Sequence, residues 1–368
     1  MNIVESTRVY EQWLGSEVSI VKADLRRKHD LMRESPFPFF RGTFYRWAEL
    51  FGELCPDLAA APKVLAVGDL HVENFGTWRD AECRLVWGVN DFDESFTLPY
   101  SNDLVRLCTS IMLASDHEGL GIVPGRACEL VLDGYSGQLA AAAASGSHKA
   151  EPFVLAEHHA WLWELAKQRR TQDFWEKLKA KLGRPAKNVP LDARAVLREI
   201  QPAGAASWTI HARTAGMGSL GKPRFCTIGL WRGGLTCREI KVMTPSACVL
   251  LKPRATGRVK YSEMIRLAIR AADPFVTQRG RWLARRLGPD CAKVELDQVR
   301  QHGDLDRLLG AMGQECANVH AGTGGAAAIR SIRADLKRRR SARWLKAAAA
   351  VMADATVKDF RGWRKSGY

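Results

Sequence analysis

The chain has 368 residues, 46% hydrophobic and 26% charged, with a formal net charge of +15. That length suffices for two domains or one large two-lobed unit, and the composition leaves ample material for a core. No uninterrupted apolar run of about 18 residues occurs, so no membrane-spanning helix is expected.

The opening stretch MNIVESTRVYEQWLGSEV carries early acids and lacks the apolar core of a secretory signal. The nine cysteines are scattered and form no CxxC pair. That is the pattern of single thiols in a reducing cytoplasm rather than of disulfides or zinc ligands. Residues 1–60 read as helix, a turn at Ser35–Gly42 and a second helix through Phe44–Phe51, because Pro36 and Pro38 forbid one continuous helix. Lys63–Val67 fits a buried strand and delivers the chain into GDLHVENFG. Cys83–Val89 fits a second strand and delivers it into NDFDES. Polar clusters at neighbouring strand ends are a common way to assemble an active site.

Residues 103–145 read as helix, ending in the alanine run Ala140–Ala144 and the breaker SGS, and Glu157–Leu182 reads as another. From Ser207 the pattern changes to strands: WTIHARTA, the glycine loop GMGSLG, PRFCTIGLW, the turn RGG, and LTCREIKVM. Tyr261–Ala272 reads as helix, PFVTQRG and RWLARRL as two more strands, and from Leu305 the chain returns to helix. Much of the excess positive charge sits in Ile332–Ala347, which reads as a solvated basic helix face, with anion binding the lesser alternative. A basic protein can attract nucleic acid, polyphosphates or an anionic membrane surface, so charge alone selects none of them.

Asp69 is followed five positions later by Asn74, and Asp91 stands after the next strand. Phosphoryl transfer needs a carboxylate to orient or deprotonate the attacking hydroxyl, and oxygen ligands to hold magnesium on the phosphates. These residues supply that set. His71 and Glu73 form an H-x-E, but a zinc-deaminase site also requires P-C-x-x-C, which is missing from the chain. His71 reads instead as a loop brace or a phosphate contact, and Arg41 in PFFRG as an anion contact or a structural residue.

GDLHVENFG resembles the H-G-D-x-x-x-x-N catalytic loop of aminoglycoside phosphotransferases and related small-molecule kinases, with Val67 in place of the leading histidine. NDFDES resembles their metal segment, which would put Asp91 in the metal-binding place and make Asp93 a second contact. MRESPFPFFRG, GDLHVENFG, NDFDES, GMGSLG and CANVHAG together resemble an uncharacterised bacterial domain family grouped with kinase-like folds. The resemblance runs from Met32 to Gly322.

GMGSLG is a G-x-G-x-x-G, and a dinucleotide-binding loop would have to open a helix. Here Pro223 and a strand follow instead. Strand, glycine loop, strand, turn and strand is the order of a kinase small lobe, in which Gly216, Gly218, Ser219 and Gly221 would cover the phosphates. That order calls for a lysine on the third strand, and REIKVM supplies Lys241. The glutamate that such sites pair with this lysine would be Glu263, on the next helix.

Kinases place the glycine loop before the catalytic loop, whereas here the order is reversed. The fold expected is therefore α+β: a two-lobed, circularly permuted protein-kinase-like fold with a mainly helical catalytic lobe and a small antiparallel β-lobe. Residues 1–202 would begin the large lobe, 203–296 would form the nucleotide-binding β-lobe, and 297–368 would return to the large lobe. LLGAMGQECANVHAG resembles the helix that precedes the catalytic loop in kinases. The function expected is a cytoplasmic phosphotransferase using ATP and Mg2+ on a hydroxyl of an unidentified small molecule, with nucleotidyl transfer left open. The alternative is a non-catalytic nucleotide-sensing or nucleic-acid-binding protein.

Overall fold

Helices occupy both ends of the chain, and small antiparallel sheets lie between them, in an α+β arrangement. The computed structural model describes residues 1–119, 121–145, 153–167, 171–205, 207–251, 257–294, 296, 299 and 303–368. None of the described helices is long and apolar enough to cross a membrane.

Asn2 starts the first helix, Ile3–Glu17, with a capping box. Its side chain accepts from the amides of Val4 and Glu5, and the Glu5 carboxylate accepts from the Asn2 amide. The helix Lys22–Met32 follows. The segment Ser35–Gly42, expected as a turn, is a short helix over Pro36–Gly42. Proline in a first turn forfeits no helical hydrogen bond and is already at helical φ, so the prolines open this helix rather than prevent it. The break they impose lies at Ser35, ahead of the helix.

Strand β1 (Lys63–Ala66) pairs antiparallel with β4 (Phe96–Pro99), and β2 (Phe75–Arg79) pairs with β3 (Leu85–Val89). The two strands that lead into the polar clusters therefore belong to separate ladders. They were expected as neighbours, and loop contacts do the joining instead. The Asn90 amide donates to the Asn74 carbonyl at 2.9 Å. Buried Asp103, on the helix Tyr100–Glu118, accepts from the amides of Val67 and Gly68 at 2.7 and 3.0 Å. His320, from the helix Leu305–Arg339, closes on the same carboxylate at 3.0 Å. Asp103, Cys316 and His320 form a close buried group, but Asp103 is already committed to the loop backbone.

The helix expected over 103–145 is two helices, Tyr100–Glu118 and Pro124–Ser145, because Gly119 closes the first in a left-handed conformation and Pro124 opens the second. Gly146 and Ser147 of the SGS breaker lie outside the described residues. Glu157–Leu182 resolves into pieces Leu155–His158, Ala160–Lys167 and Thr171–Lys181, with 168–170 outside the described residues.

Strands β5 (Ser207–Ala212), β6 (Arg224–Trp231), β7 (Gly234–Val242), β8 (Thr277–Arg279) and β9 (Trp282–Leu287) form one antiparallel sheet in the order β5-β6-β7-β9-β8. The helix between β7 and β8 ends at Leu267 rather than Ala272. The basic run Ile332–Ala347 crosses a helix break at Arg340, which has φ 62°. Its residues Arg338 and Arg339 bond to buried Asp335, so part of this charge is tied into the structure. The last helix, Arg343–Lys365, packs against the first, with Phe360 and Trp363 sharing a cluster with Ile3.

Candidate active site

The cleft lies between the five-stranded sheet and the helices, and the ends of β1 and β3 feed its floor. Gly68 has φ 82°, and a Cβ there would strike the backbone carbonyl of Glu94, so the turn out of β1 requires glycine. Asp69 follows, and fully buried Arg106 fixes its carboxylate, with Nε 2.7 Å from Oδ1. The Arg106 guanidinium also lies 3.9 Å from the centroid of the Phe40 ring. Burial pushes the Asp69 carboxyl up to about 6, against the pull of Arg106, and the charge of Asp91 adds to the rise. A carboxylate in that range can take a proton near neutral pH.

His71 caps the short turn Val72–Asn74, its Nδ1 accepting from the Glu73 amide at 3.2 Å. Burial together with the charge of Arg41 pushes the His71 imidazole well below its usual range, so it is neutral and acts as a brace. Arg41 spends its guanidinium on Glu73 at 2.8 Å, and Lys293 reaches the same carboxylate at 2.6 Å. Asn74 donates from Nδ2 to the Asp69 carbonyl at 2.5 Å. Its Oδ1 is left with no donor among the described residues.

Lys241 projects from β7 to the floor. Its Nζ lies 3.1 Å from Asp91 Oδ1 and 2.6 Å from Asp93 Oδ1. Desolvation in the cleft would raise Asp91, but the lysine charge outweighs it and holds this carboxyl below the usual carboxylate range. Burial and the charge of Asp91 raise Asp93 in turn. Two carboxylates and the free amide oxygen of Asn74 are hard oxygen donors of the kind magnesium takes.

Gly216, at φ 77°, bends the chain into the Met217–Ser219 turn of the glycine loop. Met217 and Leu220 are buried beside Met32, Phe39, Phe360 and Trp363, so the helices anchor the loop. The Gly221 carbonyl accepts from the Val21 amide at 2.8 Å. At Gly218 a Cβ would lie 3.7 Å from Asp69 Oδ2, which puts the loop over the carboxylate. Ser219 Oγ accepts from Arg224 at 2.6 Å.

The Lys241–Glu263 pair does not form. Glu263 bonds to Lys260 at 2.8 Å in the first turn of its helix, on the solvent side, and two aspartates already meet the lysine charge. The residue this helix sends into the cleft is Tyr261, whose ring centroid lies 5.8 Å from Lys241 Nζ.

Sequence reasoning missed Arg106 and Glu239. Glu239 is fully buried on β7, two residues before Lys241, and binds Arg213, Arg224 and Arg285, all of which line the cleft. Burial would raise its carboxyl, but the arginines, Arg224 foremost, hold it well below the usual range. The signal was a lone charge in the apolar run LVRLC for Arg106, and for Glu239 an acid on a strand, CREIKV, that is otherwise apolar or basic. A lone acid or base in such a run needs a buried partner.

No curated protein and no solved structure matches the chain. A family described as uncharacterized protein conserved in bacteria (DUF2252) matches residues 21–211. The match takes in Asp69, Asn74 and Asp91 and ends at β5, before the glycine loop. As it covers more than half of the sequence, the chain belongs to that bacterial family.

Proposed function

We propose that the protein is an ATP- and magnesium-dependent phosphotransferase acting on a hydroxyl of a small molecule, with a circularly permuted protein-kinase-like fold. The observation that carries this reading is the contact of Lys241 with Asp91 in the cleft that also holds Asp69, Asn74 and the glycine loop. One nucleotide must be gripped along its phosphate chain by a lysine on one side and by metal-holding oxygens on the other. The five-stranded order and the packing of the first helix on the last support the permuted arrangement.

In this reading Lys241 turns from the aspartates to the phosphates of the bound nucleotide, and Arg224 and Arg285 add positive charge along the sheet wall. Asp91, Asp93 and Asn74 Oδ1 would hold magnesium, which supplies positive charge to the phosphate oxygens when bound. Asp69 accepts the acceptor's hydroxyl proton. The acceptor oxygen bonds to the γ-phosphorus as the bond from that phosphorus to the bridging oxygen breaks, and ADP leaves with the electron pair. Arg106 keeps Asp69 oriented and ionised. His71 and the Arg41–Glu73–Lys293 contacts stiffen the loop.

Incubation with a metabolite extract and ATP labelled at the γ- or the α-phosphate tests the reading. Transfer of γ-label by wild type and its loss in Asp69→Asn supports it. Transfer of α-label means nucleotidyl transfer, and nucleotide binding without either transfer identifies a sensor.

A further inference from the structure

Two polar groups on the helical wall of the cleft lack a hydrogen-bond partner. Lys28, on the helix Lys22–Met32, is 4% exposed, and its amine makes no hydrogen bond or ion pair among the described residues. It rests 5.4 Å from the centroid of the Tyr10 ring. The Tyr10 hydroxyl likewise makes no hydrogen bond among the described residues, and both residues line the cleft. An ammonium buried without a direct ion pair is costly, unless a ligand supplies one.

Lys222, 6% exposed, enters the same cavity just after the glycine loop, and its amine donates to Thr244 Oγ1 at 2.8 Å. A hydroxyl gives the lysine no counter-charge of its own. Two acids act on this corner: Glu94, whose carboxylate accepts from the Ala247 amide at 2.8 Å, and Glu11, which is held by His29 at 2.6 Å and by the Tyr368 hydroxyl at 3.0 Å. Burial lowers Lys28 to about 8, which leaves it mostly charged at pH 7. Lys28, Tyr10 and Lys222 line the same cleft as Asp69.

We propose that Lys28, Lys222 and Tyr10 form an anion subsite that holds a phosphate or carboxylate group of the acceptor beside Asp69. The word acceptor rests on the phosphotransferase reading. The anion site does not. Lys28 and Tyr10 come from the helical wall, opposite the sheet residues Lys241 and Arg285, so an anion here is separate from the nucleotide's phosphate chain.

Reductive methylation of the wild-type protein, followed by peptide mapping, tests the subsite directly. Inorganic phosphate and acetate are the two probes, against chloride at matched ionic strength. One of them should slow methylation of Lys28 about tenfold near saturation, and which one does so identifies the anion. In Lys222→Met that protection should weaken, and Lys222→Arg should restore it. Equal Lys28 methylation with phosphate, acetate and chloride overturns the proposal in wild type alone, whatever the variants do. ATP with magnesium should separately protect Lys241. Failure there removes the nucleotide reading and leaves the Lys28 result to decide the anion site by itself.

Discussion

Lys241 and Asp91 are 150 residues apart in the chain, yet their side chains meet at 3.1 Å, joining β7 of the five-stranded sheet to the loop after β3. Without nucleotide, the lysine charge stabilises Asp91 and Asp93 together. In the phosphotransferase reading, a bound phosphate chain would compete for the same ammonium and release the two carboxylates for a cation. Nucleotide and metal binding would thereby be linked in one exchange of partners.

Nucleotide affinity should therefore depend on magnesium through Asp91. Thermal unfolding of wild type should shift upward more with ATP and magnesium than with ATP and chelator, and Asp91→Ala should abolish the difference. A ligand at about 100 times its Kd raises stability by about 2.7 kcal/mol, a readable shift. Identical shifts with and without the metal in wild type would contradict the linkage.

Turnover should rise with pH through about 6, where burial has pushed the Asp69 carboxyl, and level off above it. The ionised form is the one that can accept a proton, so the acid limb is the inactive one. Asp69→Asn should lower turnover about 10²- to 10⁴-fold with little change in ATP binding. Arg106 lowers the Asp69 value, so Arg106→Lys should move the acid limb to higher pH. A pH–rate profile that is flat between pH 5 and 8 would rule out Asp69 as the base.

Glu239→Gln should cost about 3–5 kcal/mol of stability, because Arg213, Arg224 and Arg285 would lose their buried counter-charge. The folded carboxyl is held below its unfolded value, so its contribution is present above the unfolded pKa and is lost as pH falls through the folded one. Denaturant unfolding should thus show a smaller difference between wild type and variant as the solution is acidified below about pH 4. A constant difference across that window would locate the effect elsewhere.

Met217→Ala should loosen the glycine loop from the helices that anchor it. The side chain is buried with Met32, Phe39 and Trp363, so truncation should cost about 2–5 kcal/mol. The KM for ATP should rise with kcat less affected, because the loop would bind phosphates from a larger ensemble. Steady-state kinetics at several ATP concentrations would separate the two parameters.

Local signals in the sequence determined the strands and the polar residues that stand at their ends. The apolar runs before Asp69 and Asp91 are strands, and the alternation from Ser207 to Val242 forms the β5–β7 hairpins that flank the glycine loop. Such features depend on residues a few positions apart, where side-chain period and turn chemistry act directly. Pairing was beyond that reach. Whether β1 lies beside β3 or β4 depends on contacts with Asp103 and Asn90, and the partner of Lys241 depends on which faces the folded lobes bring together. Glu263 had the right residue type on the expected helix, but the rotation of that helix turned it toward Lys260 and sent Tyr261 inward. Arg106, Glu239 and Lys28 are ordinary charged residues in the sequence, and their meaning comes from burial in the folded chain. Only the tertiary structure decides whether a buried charge meets a direct ion-pair partner, as Arg106 and Glu239 do, or makes none among the described residues, as Lys28 does.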